Sequence, residues 1–379
     1  MATENNNKTL NVPNLRFPEF SGEWESNELH KVASLSKGAG ISKDQLSDSG
    51  HPCILYGELY TKYKSEIIRE VYSKTQLDVA NLVKSHTNDV IIPCSGEAAI
   101  EIATARCVLI PDVLLGGDLN IIRLNGRHDG GFFAYQLNGK RKVDIAKVAQ
   151  GVSVVHLYGE HLKKVKVAYP SLEEQQKISS FLALLDERIA TQIKIIEKLE
   201  SLIKGLCQKL TQQDNPNTAL NDTLVCYSST LQESSVQETG DYPVYGATGV
   251  CGYTDTPEVD GDSILIIKDG ASVGVTYYAS GKYSAIGTLN RLVAKKGYSL
   301  RYLYYCLKVF NFAPYRTGLA IPHIYFRDYG KAKVWCPSLD EQQRIADALT
   351  KVQQKIAIEK SLLEQLYSQK RFLLQSMFI

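Results

Sequence analysis

A nine-residue stretch occurs twice in the chain: Pro170-Ser171-Leu172-Glu173-Glu174-Gln175-Gln176-Lys177-Ile178 is repeated 167 residues later as Pro337-Ser338-Leu339-Asp340-Glu341-Gln342-Gln343-Arg344-Ile345. Upstream residues keep the same offset, namely Gly151/Gly318, His156/His323, Tyr158/Tyr325, Lys164/Lys331, Lys166/Lys333 and Val167/Val334. A near-identity of this length at a fixed offset indicates a tandem duplication. The chain is therefore predicted to contain a globular domain and a long helix, then a second domain and a second helix.

Each copy of the repeat opens a segment of about forty residues in which apolar residues recur every three or four positions, the spacing of a coiled-coil seam. Ser171 and Ser338 follow a proline and precede a glutamate by three residues, a pattern that predicts an N-cap and a capping box. Pro216 cannot continue a helix. A first helix from Ser171 to about residue 212 would be roughly 60 Å long at 1.5 Å per residue.

Such a wide apolar stripe must be covered, and the simplest cover for one helix is the other. We therefore expect an antiparallel coiled coil with pseudo-two-fold symmetry; the alternative is that each helix folds back onto its own domain. The short apolar runs of the two halves are separated by turn residues and predict strand-rich domains. The predicted fold class is α+β, with domains at 1–170 and 214–337 and helices at 171–213 and 338–379.

Composition excludes fewer classes of function than the repeat does. The net charge is +2, and residues 1–170 carry 20 basic and 19 acidic side chains, so charge alone does not indicate a nucleic-acid binder. The N-terminus lacks the apolar region of a secretory signal, and no apolar run is long enough to cross a membrane. The eight cysteines form no C-x-x-C pair. These features predict a cytoplasmic protein with unpaired cysteines.

No motif for chemistry is found in the chain. It lacks the N-P-P-Y and D-P-P-Y tetrapeptides of amino-methylation, the G-x-x-x-x-G-K-[ST] loop that binds ATP, and the H-E-x-x-H metal motif. The glycine-rich residues 246–252 are not followed by a strong helix, so a hairpin turn explains them better than a phosphate site. We therefore name no catalytic residue and no metal ligand.

Several motifs resemble the DNA-specificity (S) subunit of Type I restriction-modification systems. These are the opening Leu15-Arg16-Phe17-Pro18-Glu19-Phe20-Ser21-Gly22-Glu23-Trp24, the repeated helix entry, Tyr242-Pro243-Val244-Tyr245-Gly246-Ala247-Thr248-Gly249, Lys268-Asp269-Gly270-Ala271-Ser272-Val273-Gly274, Tyr56-Gly57-Glu58-Leu59-Tyr60-Thr61-Lys62-Tyr63, and Gln150-Gly151-Val152-Ser153-Val154-Val155-His156-Leu157-Tyr158. The resemblance covers essentially the whole chain, in the same order and twice.

The resemblance implies a non-catalytic subunit in which each domain reads one half of a split double-stranded DNA site. The helices would set the spacer between the halves and dock two modification (methyltransferase) subunits, and two restriction (helicase-nuclease) subunits would join them. The chain itself would hold no cofactor, because S-adenosylmethionine, ATP and Mg²⁺ would belong to the partner subunits. Phosphate contacts by those partners would explain a nearly neutral chain.

Candidate DNA-contacting residues are polar, aromatic or glycine-flanked positions in these motifs, from which side chains can reach base edges. In the first domain they are Tyr56, Tyr60, Thr61, Tyr63, Ser95, Gln150, Ser153 and His156. In the second they are Tyr245, Thr248, Lys268, Ser272, Arg316 and His323. A tyrosine can equally be a core aromatic, and the equivalent placement of His156 and His323 favours a shared structural or phosphate-contacting role over base reading.

Two other classes of protein remain open at this point. A coiled-coil scaffold that joins two protein-binding domains would keep the helices, but it would not explain why the domains share one frame and differ in their loops. A lone transcription factor is disfavoured by the balanced charge and by the lack of a helix-turn-helix pattern.

Overall fold

A computed structural model describes residues 11–379 and divides the chain into two compact units. Unit 1 contains the chain up to Ile193 together with Leu362–Ile379, and unit 2 contains Lys194–Ser361. Both long helices contribute to both units. None of the helices in residues 11–379 combines the length and the apolarity that crossing a bilayer requires.

Unit 1 is strand-rich. Its strands are β1 (Glu25–Glu28), β2 (Ala33–Lys37), β3 (Leu46–Ser47), β4 (His51–Ile54), β5 (Ile67–Ile68), β6 (Ser73–Thr75), β7 (Asp89–Pro93), β8 (Ser95–Gly96), β9 (Arg106–Val108), β10 (Leu114–Leu115), β11 (Leu119–Leu124), β12 (Val155–His156) and β13 (Lys166–Tyr169). Its helices are α1 (Leu29–Val32), α2 (Glu58–Thr61), α3 (Ala99–Ile102), α4 (Gly130–Asn138), α5 (Lys142–Lys147) and α6 (Gly159–Leu162), with 3₁₀ turns at Lys43–Gln45 and Val79–Asn81.

The first long helix, α7 (Leu172–Thr211), leads into unit 2. The strands there are β14 (Thr218–Ala219), β15 (Leu224–Ser228), β16 (Tyr242–Gly246), β17 (Gly249–Thr254), β18 (Val259–Asp260), β19 (Ser263–Ile267), β20 (Thr276–Ala279), β21 (Lys282–Ala285), β22 (Leu289–Ala294) and β23 (Lys333–Val334). The helices are α8 (Leu220–Thr223), α9 (Leu300–Lys308), α10 (Phe326–Tyr329) and the second long helix α11 (Leu339–Ser376), with 3₁₀ turns at Glu233–Ser235 and Ala313–Tyr315.

The sheets of the two units share a core topology and differ at their edges. The main sheet has the order β2-β11-β7-β9-β5 in unit 1 and β15-β22-β19-β20 in unit 2. Each unit adds a four-stranded second sheet, β10-β4-β6-β3 or β17-β16-β21-β18, and a two-stranded ribbon, β1-β13 or β14-β23, that joins its first and last strands. Strand β19 is buried along its whole length, as its continuous apolar sequence requires of a central strand. The common topology confirms the tandem α+β duplication.

The seam of the long helices is buried as the spacing predicts. In unit 1, Ile178 and Leu182 are 1% and 0% exposed, and they belong to one core with Phe132 of α4 and Leu366 of α11. Each helix therefore covers the other and also packs onto the domain that precedes it, so the two expected arrangements coexist. In unit 1 Asp186 of α7 pairs with Lys370 of α11, whereas in unit 2 Glu200 pairs with Lys360. Within each unit, α7 and α11 are therefore joined by an ion pair as well as by the apolar seam.

The structure shows what the first of the two adjacent glutamines in each repeat does. Gln175 is 1% exposed; its amide donates to the Pro170 carbonyl (2.9 Å) and accepts from the backbone N–H of Asp129 (3.0 Å), the N-cap of α4. Gln342 makes the equivalent bonds to Pro337 and to Ser299, the N-cap of α9, at the same distances. The first glutamine of each repeat thus ties a long helix to the domain helix beside it, while the second is exposed.

Only one of the two hydrogen bonds of each predicted capping box forms, the one accepted by the serine. Ser171 accepts from the Glu174 N–H and Ser338 accepts from the Glu341 N–H, both at 3.4 Å. The Glu174 carboxylate instead accepts two hydrogen bonds from Arg16 at 2.7 and 2.8 Å, which ties the N-terminal segment to α7. A guanidinium is a stronger partner than a backbone N–H, and no local pattern at the helix start indicates that it is nearby.

Candidate nucleic-acid interface

One hairpin in each unit has the same construction. Residues 150–156 form the first hairpin, in which Gln150 and His156 exchange backbone hydrogen bonds of 2.8 and 2.7 Å. Residues 317–323 form the second hairpin, in which Thr317 and His323 exchange bonds of 2.9 and 2.7 Å. The offset between the two is again 167 residues, so they are equivalent parts of the duplicated fold.

A glycine closes each hairpin. Gly151 and Gly318 adopt φ values of 124° and 86°, which other residues rarely adopt, and a Cβ at either position would collide with the carbonyl oxygen three residues later, that of Val154 or Ile321. The repeat of these glycines in the sequence is therefore a backbone requirement. It fixes the loop shape while leaving the other loop residues free to differ.

The first hairpin lies against β8, where several residues predicted from the sequence meet. His156 is paired with Ser95 in the β12–β8 ladder, and the Ser95 hydroxyl donates to Asp118 at 3.2 Å. Gln150 closes the hairpin, and Ser153 is exposed in its loop. Tyr60 is near as well, because a Cβ on Gly96 would lie 3.5 Å from its hydroxyl. The structure thus brings Tyr60, Ser95, Gln150, Ser153 and His156 into one region.

The second hairpin lies against residues 268–274. The Ile324 N–H donates to the Lys268 carbonyl and the Gly270 N–H donates to the Pro322 carbonyl, each at 2.9 Å. The His323 ring lies 2.6 Å from the Asp269 carboxylate, and Arg316 donates to the Val273 carbonyl at 3.1 Å. Of the predicted residues, Lys268, Ser272, Arg316 and His323 are therefore neighbours; Ser272 and Arg316 are exposed.

The remaining residues predicted in unit 1 lie around α2. Tyr56 is 38% exposed and, with Thr61, Lys43 and Asp118, lines a cavity of about 720 Å³. Tyr60 and Tyr63 have buried hydroxyls without a hydrogen-bond partner, and burial raises the pKa of both.

Tyr63 is only 5% exposed and stacks on Tyr72, with ring centroids 5.6 Å apart; Ser95 is 8% exposed. Their side chains reach DNA only if the covering loops move, so their DNA contact stays a prediction.

Tyr245 and Thr248 lie apart from the second hairpin, on a different sheet. Tyr245 belongs to β16 and packs edge-on against Tyr283, with ring centroids 5.6 Å apart. Thr248 lies in the turn between β16 and β17, the glycine-rich segment that the sequence predicts as a hairpin turn. The turn is held by the Tyr277 hydroxyl, which donates to the Ala247 carbonyl at 2.9 Å.

The tip of each hairpin is exposed over consecutive residues, 151–154 in unit 1 and 317–321 in unit 2. The name exposed stripe is used here for Val152, Val154, His156 and Tyr158 in unit 1 and for Leu319, Ile321, His323 and Tyr325 in unit 2, of which only His323 is half-buried. The alternate neighbours Val155, Leu157 and Ile324 are buried, whereas Tyr158 and Tyr325 are 44% and 45% exposed. Sequence reasoning missed the apolar members because valine, leucine and isoleucine ordinarily predict core. The sequence signal that could have found them is that both apolar positions recur at the 167-residue offset of the repeat.

Across residues 11–379, no three His, Cys, Asp or Glu side chains are grouped as a metal site requires. The eight cysteines are all free. Burial raises the pKa of Cys53, Cys94 and Cys207 to about 11. These thiols are therefore protonated at neutral pH and act as small core residues.

The fold and the matched hairpins define a duplicated protein, with two α+β domains of related topology, each followed by a long helix. The chain belongs to the family of the Type I restriction modification DNA specificity domain, whose family model matches residues 21–201 and 227–368.

It is 26% identical over 215 residues to the MjaX protein of Methanocaldococcus jannaschii, named as a candidate type I restriction enzyme specificity subunit; the alignment covers 54% of this chain and 49% of that one. The chain spans half or less of the length of the curated relatives it matches.

Two solved structures share the fold. The crystal structure of a Type-I restriction-modification system S subunit from M. genitalium matches with a TM-score of 0.67 and 18% identity, covering 97% of this chain and 99% of that one. A chain from a structural study of complex assembly and conformational transition of the type I R-M system matches with a TM-score of 0.56 and 16% identity, covering 94% and 97%. Together they place both domains and both helices in one known architecture.

Proposed function

We propose that this chain is the DNA-specificity subunit of a Type I restriction-modification complex and catalyses no reaction itself. Each unit reads one half of a bipartite duplex site, and the two long helices set the spacer and dock two modification subunits, which two restriction subunits join. Methyl transfer from S-adenosylmethionine and the Mg²⁺- and ATP-dependent steps belong to those partners. Such a complex works on chromosomal and invading DNA in the cytoplasm.

The observation that carries the proposal is that one family model matches the chain twice, once in each unit. Two domains with the same scaffold and different loops are suited to binding two different DNA half-sites in the same way. Lys268, Ser272 and Arg316 supply hydrogen-bond donors beside the second hairpin, whereas Ser95, Gln150 and Ser153 present smaller polar groups beside the first. Donors of both kinds can contact phosphates and base edges in a groove.

The test is methylation-sensitive sequencing of a host genome with and without this gene. We expect N6-methyladenine on both strands of one split motif, present only when the gene is intact. The purified chain alone should neither methylate nor cut DNA. Turnover by the isolated chain, or loss of the gene without any change in the methylome, would contradict the proposal.

A further inference from the structure

The exposed stripes have a property that base reading does not explain: they are alike in two units whose other loops differ. Val152 is 96% exposed and its equivalent Leu319 is fully exposed; Val154 and Ile321 follow two residues later at 53% and 58%. Between them Ser153 is replaced by Ala320. The apolar character is thus kept at alternate positions while the intervening residue changes.

The loop shape holds these side chains away from the core. The glycine and the backbone pairing close each hairpin, and Val152 and Leu319 lie in the exposed loop between the paired residues. An isolated exposed apolar residue is ordinary on a protein surface. Two such pairs at equivalent places, on hairpins closed in the same way, indicate a surface that is apolar because of the partner it contacts.

The charges around the stripes identify the partner. In unit 2, Lys268 and Arg316 lie beside the hairpin, and the Arg327 guanidinium lies 4.9 Å from the Tyr325 ring centre. In unit 1 the stripe is followed by α6 and then by Lys163, which pairs with Glu160, and Lys164. The apolar tip of unit 2 with these three cations around it matches a DNA groove, whose floor is formed by bases and sugars and whose edges are rows of phosphates. The equivalent apolar tip of unit 1 is assigned to the same partner because the two hairpins are equivalent parts of the duplicated fold.

We propose, on the basis of the proposed function, that each hairpin enters a groove of the bound duplex and places its apolar tip on sugars and base edges. In unit 2 the flanking cations then contact the phosphates, and in both units the exposed tyrosine, Tyr158 or Tyr325, donates to the DNA backbone. Because both units use the same stripe on different half-sites, the contact anchors the duplex without reading its sequence. The bulkier Leu319, Ile321 and Pro322 are residue types that wedge between base steps, so unit 2 distorts its half-site more.

The test uses the full chain assembled with its modification subunits, and the duplex whose split motif has been found by methylome mapping. One variant combines Val152→Ser with Val154→Ser; the other combines Leu319→Ser with Ile321→Ser. Val143→Ser and Val225→Ser are matched controls, because both are exposed valines outside the hairpins (53% and 37%). We expect each tip variant to weaken DNA binding about tenfold or more, as loss of apolar burial requires, and the controls to leave it unchanged.

Two further readouts separate an apolar anchor from other roles. The slope of log K against log salt should stay constant in the tip variants and fall by about one in Arg316→Ala, because only a phosphate contact releases counterions. The methylated motif should keep both half-sequences. Unchanged melting temperatures show that the variants fold.

Unchanged DNA affinity in both tip variants would overturn the proposal, as would failure of those variants to assemble with the modification subunits, which would assign the stripe to a protein partner. A changed half-sequence would also overturn it, since the tip would then read bases. If the wild-type assembly itself bound no duplex and methylated no motif, the proposed function would fail instead.

Discussion

Among single residues, the buried Gln175 of the first repeat is the clearest case of a side chain that holds two backbone groups, the Asp129 N–H and the Pro170 carbonyl. The Gln175 amide must donate and accept at once, and the adjacent Gln176 is exposed. The sequence reveals that the motif is repeated. It cannot reveal which of the two adjacent glutamines is buried, because that depends on where α4 begins.

We predict that Gln175→Glu lowers the free energy of unfolding by about 1–3 kcal/mol, since the carboxylate cannot donate to the Pro170 carbonyl and leaves it without a partner. Urea denaturation of the full chain measures the change. Gln176→Glu is the matched control and should change stability by less than about 0.5 kcal/mol. Equal effects of the two substitutions would show that the amide is not the connection described.

The candidate site could be predicted from the sequence only in part, for physical reasons that differ by residue. Ser95, Gln150 and His156 were expected as site residues, and the structure places them together; whether they contact DNA stays a prediction. Tyr63 shows why residue type alone is not enough, because the sequence does not distinguish a tyrosine that is stacked in a core from one that is exposed. Val152 was missed because its exposure depends on a glycine-closed loop.

At the scale of elements, a buried ion network fastens α11 to unit 1. Lys370 contacts Glu66 and Asp186 at 2.5 Å each, and Tyr135 donates to Asp186 at 2.8 Å. Burial alone would raise the pKa of Asp186, but the Lys370 ammonium lowers it below its usual value; burial dominates at Glu66 and raises its pKa. The periodicity predicts the apolar seam but gives no sign of this cluster, whose members are separated by up to 304 residues.

We predict that Lys370→Ala destabilises the chain by about 3–5 kcal/mol, because it removes the ammonium that forms the ion pairs with both buried carboxyl groups. Lys360→Ala, on the same helix, removes a half-exposed pair with Glu200 and should cost at most about 1 kcal/mol. Thermal and urea unfolding of both variants decide the matter. Similar losses would mean that water reaches the Lys370 cluster.

At the scale of the whole molecule, recognition can be exchanged only where the packing allows. Replacing residues 1–170 by the matching domain of a relative should change one half of the methylated motif and leave the other half intact. The donor domain must supply partners for the helix groups Glu174 and Lys370, which Arg16 and Glu66 provide here. Methylome mapping reads the result. A change in both half-sequences would contradict the assignment of one half to each domain.

The last prediction concerns the helices as a ruler for the spacer. Helix α7 passes from unit 1 to unit 2 at Ile193, and α11 passes back at Ser361. Four residues inserted in both helices at these points add roughly 6 Å at 1.5 Å per residue and turn the seam by only about 40°. Since B-DNA rises about 3.4 Å per base pair, the methylated motif should gain one or two spacer base pairs, with both half-sequences unchanged.

Two residues inserted at the same points are the control, because they turn the seam by about 200° and bring polar side chains into it. That variant should lose stability and methylation together. Stable protein with full activity after the two-residue insertion would show that the seam tolerates any register. An active four-residue variant with an unaltered spacer would show that the helices join the domains without measuring the DNA, because a longer rigid connection must otherwise match a longer duplex.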